Sequence, residues 1–373
     1  MLASGGRLSR PIASLLGWAL LSGCPRPPSP EDLAVSPATA PILPAPEAAL
    51  YATGDSRPRD ALVARAVQNG LLPWQESLSG AATALALDPA IPLELAAARH
   101  AAWRAGYPYP VVRIISGEEN AGAYPSGLTD TLQRLMQPGD HVGMVRARRA
   151  SQDLWVALIG RPAGLMEPLA RAAPLDDRGS LVADRPATYA IVRPDGRLTR
   201  GEAPVEVVLD APGEWWMQLD TPDGRRIAGV PVYVAMDPPT APLLDVPGPT
   251  PEGPVETAAE AFALVNDIRS AFEAVALAED GTLQTLARHP LEQVLDGSWD
   301  RDAGEARLRG AGFVGGPVAQ LWCAATTVES CIDELLADAD GRAALLHPQL
   351  RLGGAAAQVR TDGVVVLLNL TSE

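Results

Sequence analysis

Two proline-dense stretches set the limits on what this chain can fold into. Pro25 to Pro46 holds eight prolines in 22 residues, and Pro238 to Pro254 holds seven in 17. Proline fixes φ and removes a backbone donor, so neither stretch suits a helix interior or a central strand. The first reads as an extended tether and the second as a linker. The 373 residues therefore divide into a leader, a long middle part and a last domain, with expected bounds 1–23, 24–48 (tether), 49–164, 165–237, 238–254 (linker) and 255–373. At 47% apolar residues the chain can bury two or three cores, which excludes a disordered or fibrous protein.

The leader has the pattern of a secretory signal peptide: Arg7 and Arg10, an apolar run from Ile12 to Leu21, then Ser22 and Gly23 before Cys24. The run is too short for a comfortable membrane span of about 20 residues. Every later apolar stretch is broken by Arg, Asp, Glu or Pro. Leu21-Ser22-Gly23-Cys24 resembles the bacterial lipobox, which implies lipidation of Cys24 and cleavage before it. Acyl chains on Cys24 would then hold the protein at a membrane. By the same resemblance Pro25, where an Asp would favour inner-membrane retention, points to the outer membrane.

Charge narrows the partners. The net charge is −15, and all 30 basic residues are arginine. Without lysine there is no Schiff-base or Ser/Lys chemistry. Without Arg7 and Arg10 the mature chain keeps 28 arginines against 45 acids, a net charge of −17. Such a surface repels phosphate backbones, so no nucleic-acid partner is expected.

The middle part changes character along its length. Ala61 to Gly70, Leu93 to Gly106 and Leu128 to Met136 carry helical spacing, while Pro110 to Ser116, His141 to Arg146 and Leu154 to Gly160 read as strands, an α/β or α+β unit. Then come Ala187 to Val192, Val205 to Leu209, Trp215 to Leu219 and Val230 to Val234, with turns at Pro194-Asp195-Gly196 and Pro222-Asp223-Gly224. That rhythm suggests a small immunoglobulin-like β-sandwich. Trp215 and Trp216 point to opposite faces of one strand, so one is expected in the core and the other exposed, or covered by a neighbouring domain.

After the linker, Ala261, Leu264, Val265, Ile268 and Phe272 form one face of an amphipathic helix. Further helical patterns run from Leu283 to about Leu295 and from about Val328 to Leu336. Gly353 to Val359 and Val364 to Leu370 form a hairpin turning at Thr361-Asp362-Gly363. Helices followed by a hairpin argue an α+β sandwich. A late helix, a Gly-containing strand and a closing strand also occur at Leu128 to Leu158, either as a duplication of the last unit or as a common way for α+β units to end.

No complete catalytic motif is present. His100, His141, His289 and His347 stand in no metal-ligand spacing, and there is no GxSxG, Walker or GxGxxG signature. No metal or other cofactor is expected. Cys323 and Cys331, eight apart in an exported chain, are expected to form a disulfide. The alternative is a nucleophilic thiol with His289 or His347 as base.

Residues 258 to 370 resemble the CAP superfamily of cysteine-rich secretory, antigen 5 and pathogenesis-related 1 proteins, especially its bacterial branch. The resemblance rests on Leu264-Val265-Asn266-Asp267-Ile268-Arg269 as a first helix and on Leu283-Gln284-Thr285-Leu286-Ala287-Arg288-His289 as a second. It continues through Gly310-Ala311-Gly312-Phe313 and Gly315-Gly316-Pro317-Val318, then Gly341-Arg342-Ala343-Ala344-Leu345-Leu346-His347-Pro348, and Gly353-Gly354. It implies an α-β-α sandwich with a cleft whose two histidines and one or two acids bind a divalent metal in some members. His289 falls on the first histidine, Gln320 on or near the motif glutamate, and Gly341 on the second histidine. One imidazole and one amide fall short of what zinc requires. Pro290 is expected to disturb the second helix at His289, leaving a partly buried histidine at a helix end.

Three functions follow. The first is a non-enzymatic envelope lipoprotein, a rod of three domains whose CAP-like module is a binding or structural head for a cell-wall, lipid or protein ligand. The second is an extracytoplasmic hydrolase acting on peptide or cell-wall polymer, with His289 as base and Glu292 or Glu305 as partner. The third, implied by the resemblance, is a lipid- or sterol-binding protein.

Overall fold

The computed structural model describes residues 49–52, 57–88, 93–149, 151–241, 243 and 253–372. The leader, Cys24, the tether and residues 242 and 244–252 of the second proline-dense stretch lie outside the described residues. Among the described residues no helix is long and apolar enough to cross a membrane.

The first unit contains β1 (Leu50–Tyr51), α1 (Ala61–Gly70), α2 (Glu76–Leu87), α3 (Leu95–Arg104), β2 (Val111–Asn120), α4 (Ser126–Leu135), β3 (His141–Arg149) and β4 (Gln152–Gly160). Asp60 starts α1 by accepting from the Leu62 and Val63 amides, and the same carboxylate pairs with Arg146 of β3. The sheet runs β2-β4-β3, all antiparallel. Val63 and Ala66 of α1 and Leu132 of α4 pack with Trp155 and Ile159 of β4.

Short strands follow: β5 (Leu169–Ala170), β6 (Ala172–Ala173), β7 (Arg178–Leu181), β8 (Thr188–Val192), β9 (Leu198–Glu202), β10 (Val205–Val208), β11 (Gly213–Asp220) and β12 (Arg226–Val234). One sheet has the order β6-β12-β11-β8-β9, and β10 pairs with β7. The expected divide between residues 164 and 165 separates strands that the fold joins, because β1 pairs with β5. One apolar cluster also runs from Leu78 and Leu85 of α2, through Val156 and Leu158 of β4, to Trp215, Met217 and Val230 of the β unit. These two units share a core, so the protein is not a rod of three independent domains.

The last unit has α5 (Pro254–Ala271), β13 (Ala278–Glu279), α6 (Gly281–Asp296), α7 (Arg301–Gly310), β14 (Val318–Ala325), α8 (Val328–Leu336), α9 (Ala339–Leu346), β15 (Leu352–Arg360) and β16 (Gly363–Thr371), with sheet order β13-β15-β16-β14. Alternate strand residues face two layers. Val265, Ile268 and Ile332 of α5 and α8 cover Leu321, Val366 and Leu368, while Ala287 and Leu291 of α6 cover Val365 and Leu367. Cys323 of β14 is bonded to Cys331 of α8. Cys331→Ser is expected to lower stability by about 2 to 3 kcal/mol, read as an earlier urea midpoint that matches reduced wild type.

The first and last units are built on one plan. α1, α2, α3, β2, α4, β3 and β4 follow the order of α5, α6, α7, β14, α8, β15 and β16, and β2-β4-β3 reproduces β14-β16-β15. Trp74 bridges Val142 in parallel where β13 pairs with β15 in parallel. The Gln75 amide donates to Val142 O at 2.8 Å, and the Asp280 amide donates to Gly353 O at 2.9 Å. In each unit a strand glycine then lies against the third residue of the following helix. A Cβ on Gly143 would overlap the Leu78 carbonyl, and one on Gly354 would overlap Leu283 C and Gln284 N. Of the two readings left by the sequence, the shared topology and matching contacts favour a repeated unit.

The last unit docks on the other two through α8 and α9. Ala339 and Ala343 pack with Ala190, Val192 and Trp216, and Trp103 meets Trp216 edge-on at 5.4 Å. Trp215 and Trp216 are each 1% exposed, one in the shared core and the other under α9. Arg226 bridges Asp220 and Asp338 at 2.7 and 2.8 Å, Arg99 reaches Asp333 at 2.9 Å, and Arg342 pairs with Glu214.

Candidate functional site

The three family-matching positions are not brought together. His289 is exposed in the middle of α6, which continues through buried Pro290 to Asp296. The helix thus tolerates the proline, and His289 is neither partly buried nor at a helix end. Proline removes the donor to the Leu286 carbonyl and crowds that carbonyl with its ring, and the helix runs on through both.

Gln320 is 1% exposed on the α6–α7 face of β14. Its Oε1 accepts from Trp299 Nε1 at 3.0 Å, its Nε2 donates to Asn369 Oδ1 at 2.8 Å, and Asn369 Nδ2 donates to Leu283 O at 3.0 Å. Gly304 of α7 leaves the room this amide fills, since a Cβ there would strike Gln320 Oε1. Such a closed chain satisfies every member and leaves none turned to a ligand.

Gly341 lies in α9, whose Leu345 and Leu346 pack with α5 and α8. A Cβ at this position would overlap the Leu335 carbonyl. An imidazole here would require the α8–α9 turn to be rebuilt. Among the described residues, no group of three or more His, Cys, Asp or Glu side chains is arranged to hold a metal ion.

A concave site lies elsewhere. A cleft of about 680 Å³ is bounded by α7, the start of β14, α9 and the β8–β9 hairpin. Its floor includes Val318, Leu321 and Ala343, and its charged lining is Arg193, Arg197, Arg301, Glu305, Asp340 and His347. The Pro194-Asp195-Gly196 turn rests on the end of α9. Gly196 has φ +77°, and a Cβ on it would come within 2.6 Å of Leu346 O, so glycine is required twice over.

Most of the charges are paired. Arg301 reaches Asp340 at 3.3 Å and Arg200 joins the same carboxylate. Arg193 binds Asp210 at 2.8 Å over the Trp215 ring, and Arg197 reaches Asp195 at 3.3 Å. Two groups keep proton-transfer capacity. Burial, with Arg269 adding to it, holds the His347 pKa below the ordinary imidazole value, while the Gln349 amide donates to its Nδ1 at 3.2 Å. Burial raises the Glu305 carboxyl, against the opposing pull of Arg301 and Arg309. Thr199 is the one hydroxyl among the lining residues, with no base bonded to it.

Sequence reasoning named Glu305 as a partner of His289 and His347 as a base for a free thiol. The fold places Glu305 and His347 on one cleft and leaves His289 outside its lining. It missed Arg193, Arg197 and Asp340 as cleft residues. No local pattern marks a site drawn from three segments, the first of them more than 100 residues from the other two in sequence.

No protein-family model matches the chain, and neither does any curated protein. Solved structures do. A cysteine-rich secretory protein from Staphylococcus aureus is 12% identical over 53% of this chain and 81% of its own, with a TM-score of 0.30. An extracellular protein containing an SCP domain from Bacillus anthracis is 14% identical over 62% of this chain and 81% of its own, with a TM-score of 0.28.

Proposed function

We propose that this chain is an exported, lipid-anchored envelope protein whose CAP-like last unit serves as a binding or structural head rather than as an enzyme. The observation that carries the reading is the fate of the three family positions. His289 faces solvent, Gln320 is sealed into an amide chain, and Gly341 is too tightly packed for any side chain. The lipobox-like Cys24 and the proline tether support anchoring, with the outer membrane as the proposed destination. Ligands of the head are sought among cell-wall polymers, lipids and proteins.

One observation favours a second reading. Glu305 and His347 share a cleft and have pKa values shifted toward the neutral form, which is the raw material of acid–base catalysis. The ion-paired arginines, and the lack of an activated nucleophile among the described residues of the cleft, favour binding over hydrolysis. A sterol or lipid ligand finds less support, because charged side chains ring the cleft.

Purified protein carrying Cys24→Ser is expected to release no product from peptidoglycan, casein or nitrophenyl esters above a heat-denatured sample. His289→Ala is expected to leave stability within about 0.5 kcal/mol of the parent, as for an exposed site. Turnover that disappears in His347→Ala or Glu305→Gln would establish the hydrolase instead. For the anchor, wild type is expected in the membrane fraction and Cys24→Ser in the soluble fraction; retention of the variant on membranes would refute lipidation.

A further inference from the structure

β2 is ten residues long and stands at the edge of its sheet. A strand in that place carries a row of backbone donors and acceptors open to another chain, and soluble proteins blunt such edges by brevity, proline or charge. β2 is long, has no proline, and its charges are arranged for pairing with themselves. Along one face run Arg113, Ile115, Gly117 and Glu119, which lie across from Ile159, Ala157, Trp155 and Asp153 of β4. Arg113 is exposed, and neither it nor Glu119 has an ion-pair partner among the described residues. The space beside Gly117 is open, for a Cβ there would meet nothing within 4 Å.

Two antiparallel copies of an edge strand are related by a two-fold axis normal to the sheet. Residues directly opposite must then share a face, which restricts the register to steps of two. Centring the axis on Ser116 sets Arg113 opposite Glu119 of the second copy and Ile115 opposite its Gly117, each twice by symmetry. On the other face Ile114 meets the methylenes of Glu118. One step to either side destroys the match, since Arg113 then meets Gly117 or Glu119 meets Ile115. A single register therefore satisfies both charges and fills the open space.

We propose that the protein forms a homodimer by antiparallel β2–β2 pairing centred on Ser116, which joins two three-stranded sheets into one of six strands. The partner is a second copy of this chain, selected by charge and by shape.

Sedimentation of the Cys24→Ser chain is expected to show a concentration-dependent dimer. Glu119→Arg replaces two opposite-charge cross-strand pairs by like-charge pairs and is expected to weaken the dimer about tenfold or more. The swap Arg113→Glu/Glu119→Arg is expected to restore it to within about threefold. Circular dichroism checks that each variant is folded, and a cysteine test decides the matter should Glu119→Arg fail to fold. Ser116→Cys is expected to cross-link under mild oxidation, its Cα atoms facing at about 5 Å. Glu118→Cys is expected not to, its copies standing about 13 Å apart along the strand. A wild type that stays monomeric to about 100 µM, a swap that leaves the dimer broken, or Glu118→Cys cross-linking as readily as Ser116→Cys would each overturn the proposal.

Discussion

Gly143→Ala is expected to destabilise the protein by about 3 kcal/mol, the upper part of the range for overpacking a rigid contact. The added methyl would overlap Leu78 C and O and Ser79 N, all backbone atoms of α2, so no rotamer change relieves it. Relief requires α2 to withdraw from β3, which opens the seat of Leu78 and Leu85 in the shared core. Gly354→Ala is expected to cost about as much, because Leu283 and Gln284 of α6 stand in the same relation to β15. Gly127→Ala in α4 serves as the control. Its Cβ meets open space and its helix gains propensity, so a stabilisation of up to about 1 kcal/mol is expected. Urea midpoints for the three variants check this, and equal effects at 127 and 143 would show that the helix-on-strand contact is slack.

The parts legible in the sequence were those with one buried face. α1, α5 and the closing hairpin show apolar residues at the spacing their elements demand, and all three form where expected. α2 escaped notice for the opposite reason. Its Ala-rich run is buried nearly all round between α3, β3 and β4, so no polar face sets off a helical period. α7 is polar, with only Gly304 and Leu308 buried, and β14 places the apolar Trp322 and Ala324 at its exposed positions beside buried Leu321 and Cys323. Neither shows the contrast that pattern reading needs.

The cleft was the least legible feature. Its walls come from the hairpin at 193–199, from Arg301 and Glu305, and from 317–350, and only the docking of α9 on the β unit brings them together. The tryptophan pair carried a hint of that docking. Two adjacent bulky residues on opposite faces of one strand require cover on both sides, and α9 supplies the second.

Arg342→Met is expected to cost about 3 kcal/mol at neutral pH, although methionine keeps most of the apolar volume. Arg342 is 5% exposed, lies over the Trp216 and Phe272 rings at 5.1 Å each, donates to Leu336 O at 3.1 Å and pairs with Glu214. Removing it strands the Glu214 carboxylate in an interface where that side chain is 17% exposed, and an uncompensated buried charge is the expensive outcome. Arg342→Met/Glu214→Gln should therefore recover most of the loss. The pH dependence has a definite sign. Burial raises the Glu214 pKa, with Arg342 pulling against it, and burial likewise raises Asp333, with Arg99 pulling against it. A carboxyl raised on folding contributes stability that is complete below its unfolded pKa of about 4 and is lost as pH rises through the folded value. These two carboxyls thus favour the docked state more at pH 5 than at pH 7.5. His100 and His347, whose pKa values burial lowers, weaken folding over the same fall, so the carboxyl contribution is read as each variant's pH difference relative to wild type. The difference should widen in Arg342→Met, where the opposing charge is gone, and shrink in the double variant. Guanidinium midpoints at the two pH values decide it. Arg342→Met proving as stable as wild type at pH 7.5, or the double variant proving no better than the single, would mean that the guanidinium packs on the rings without neutralising Glu214.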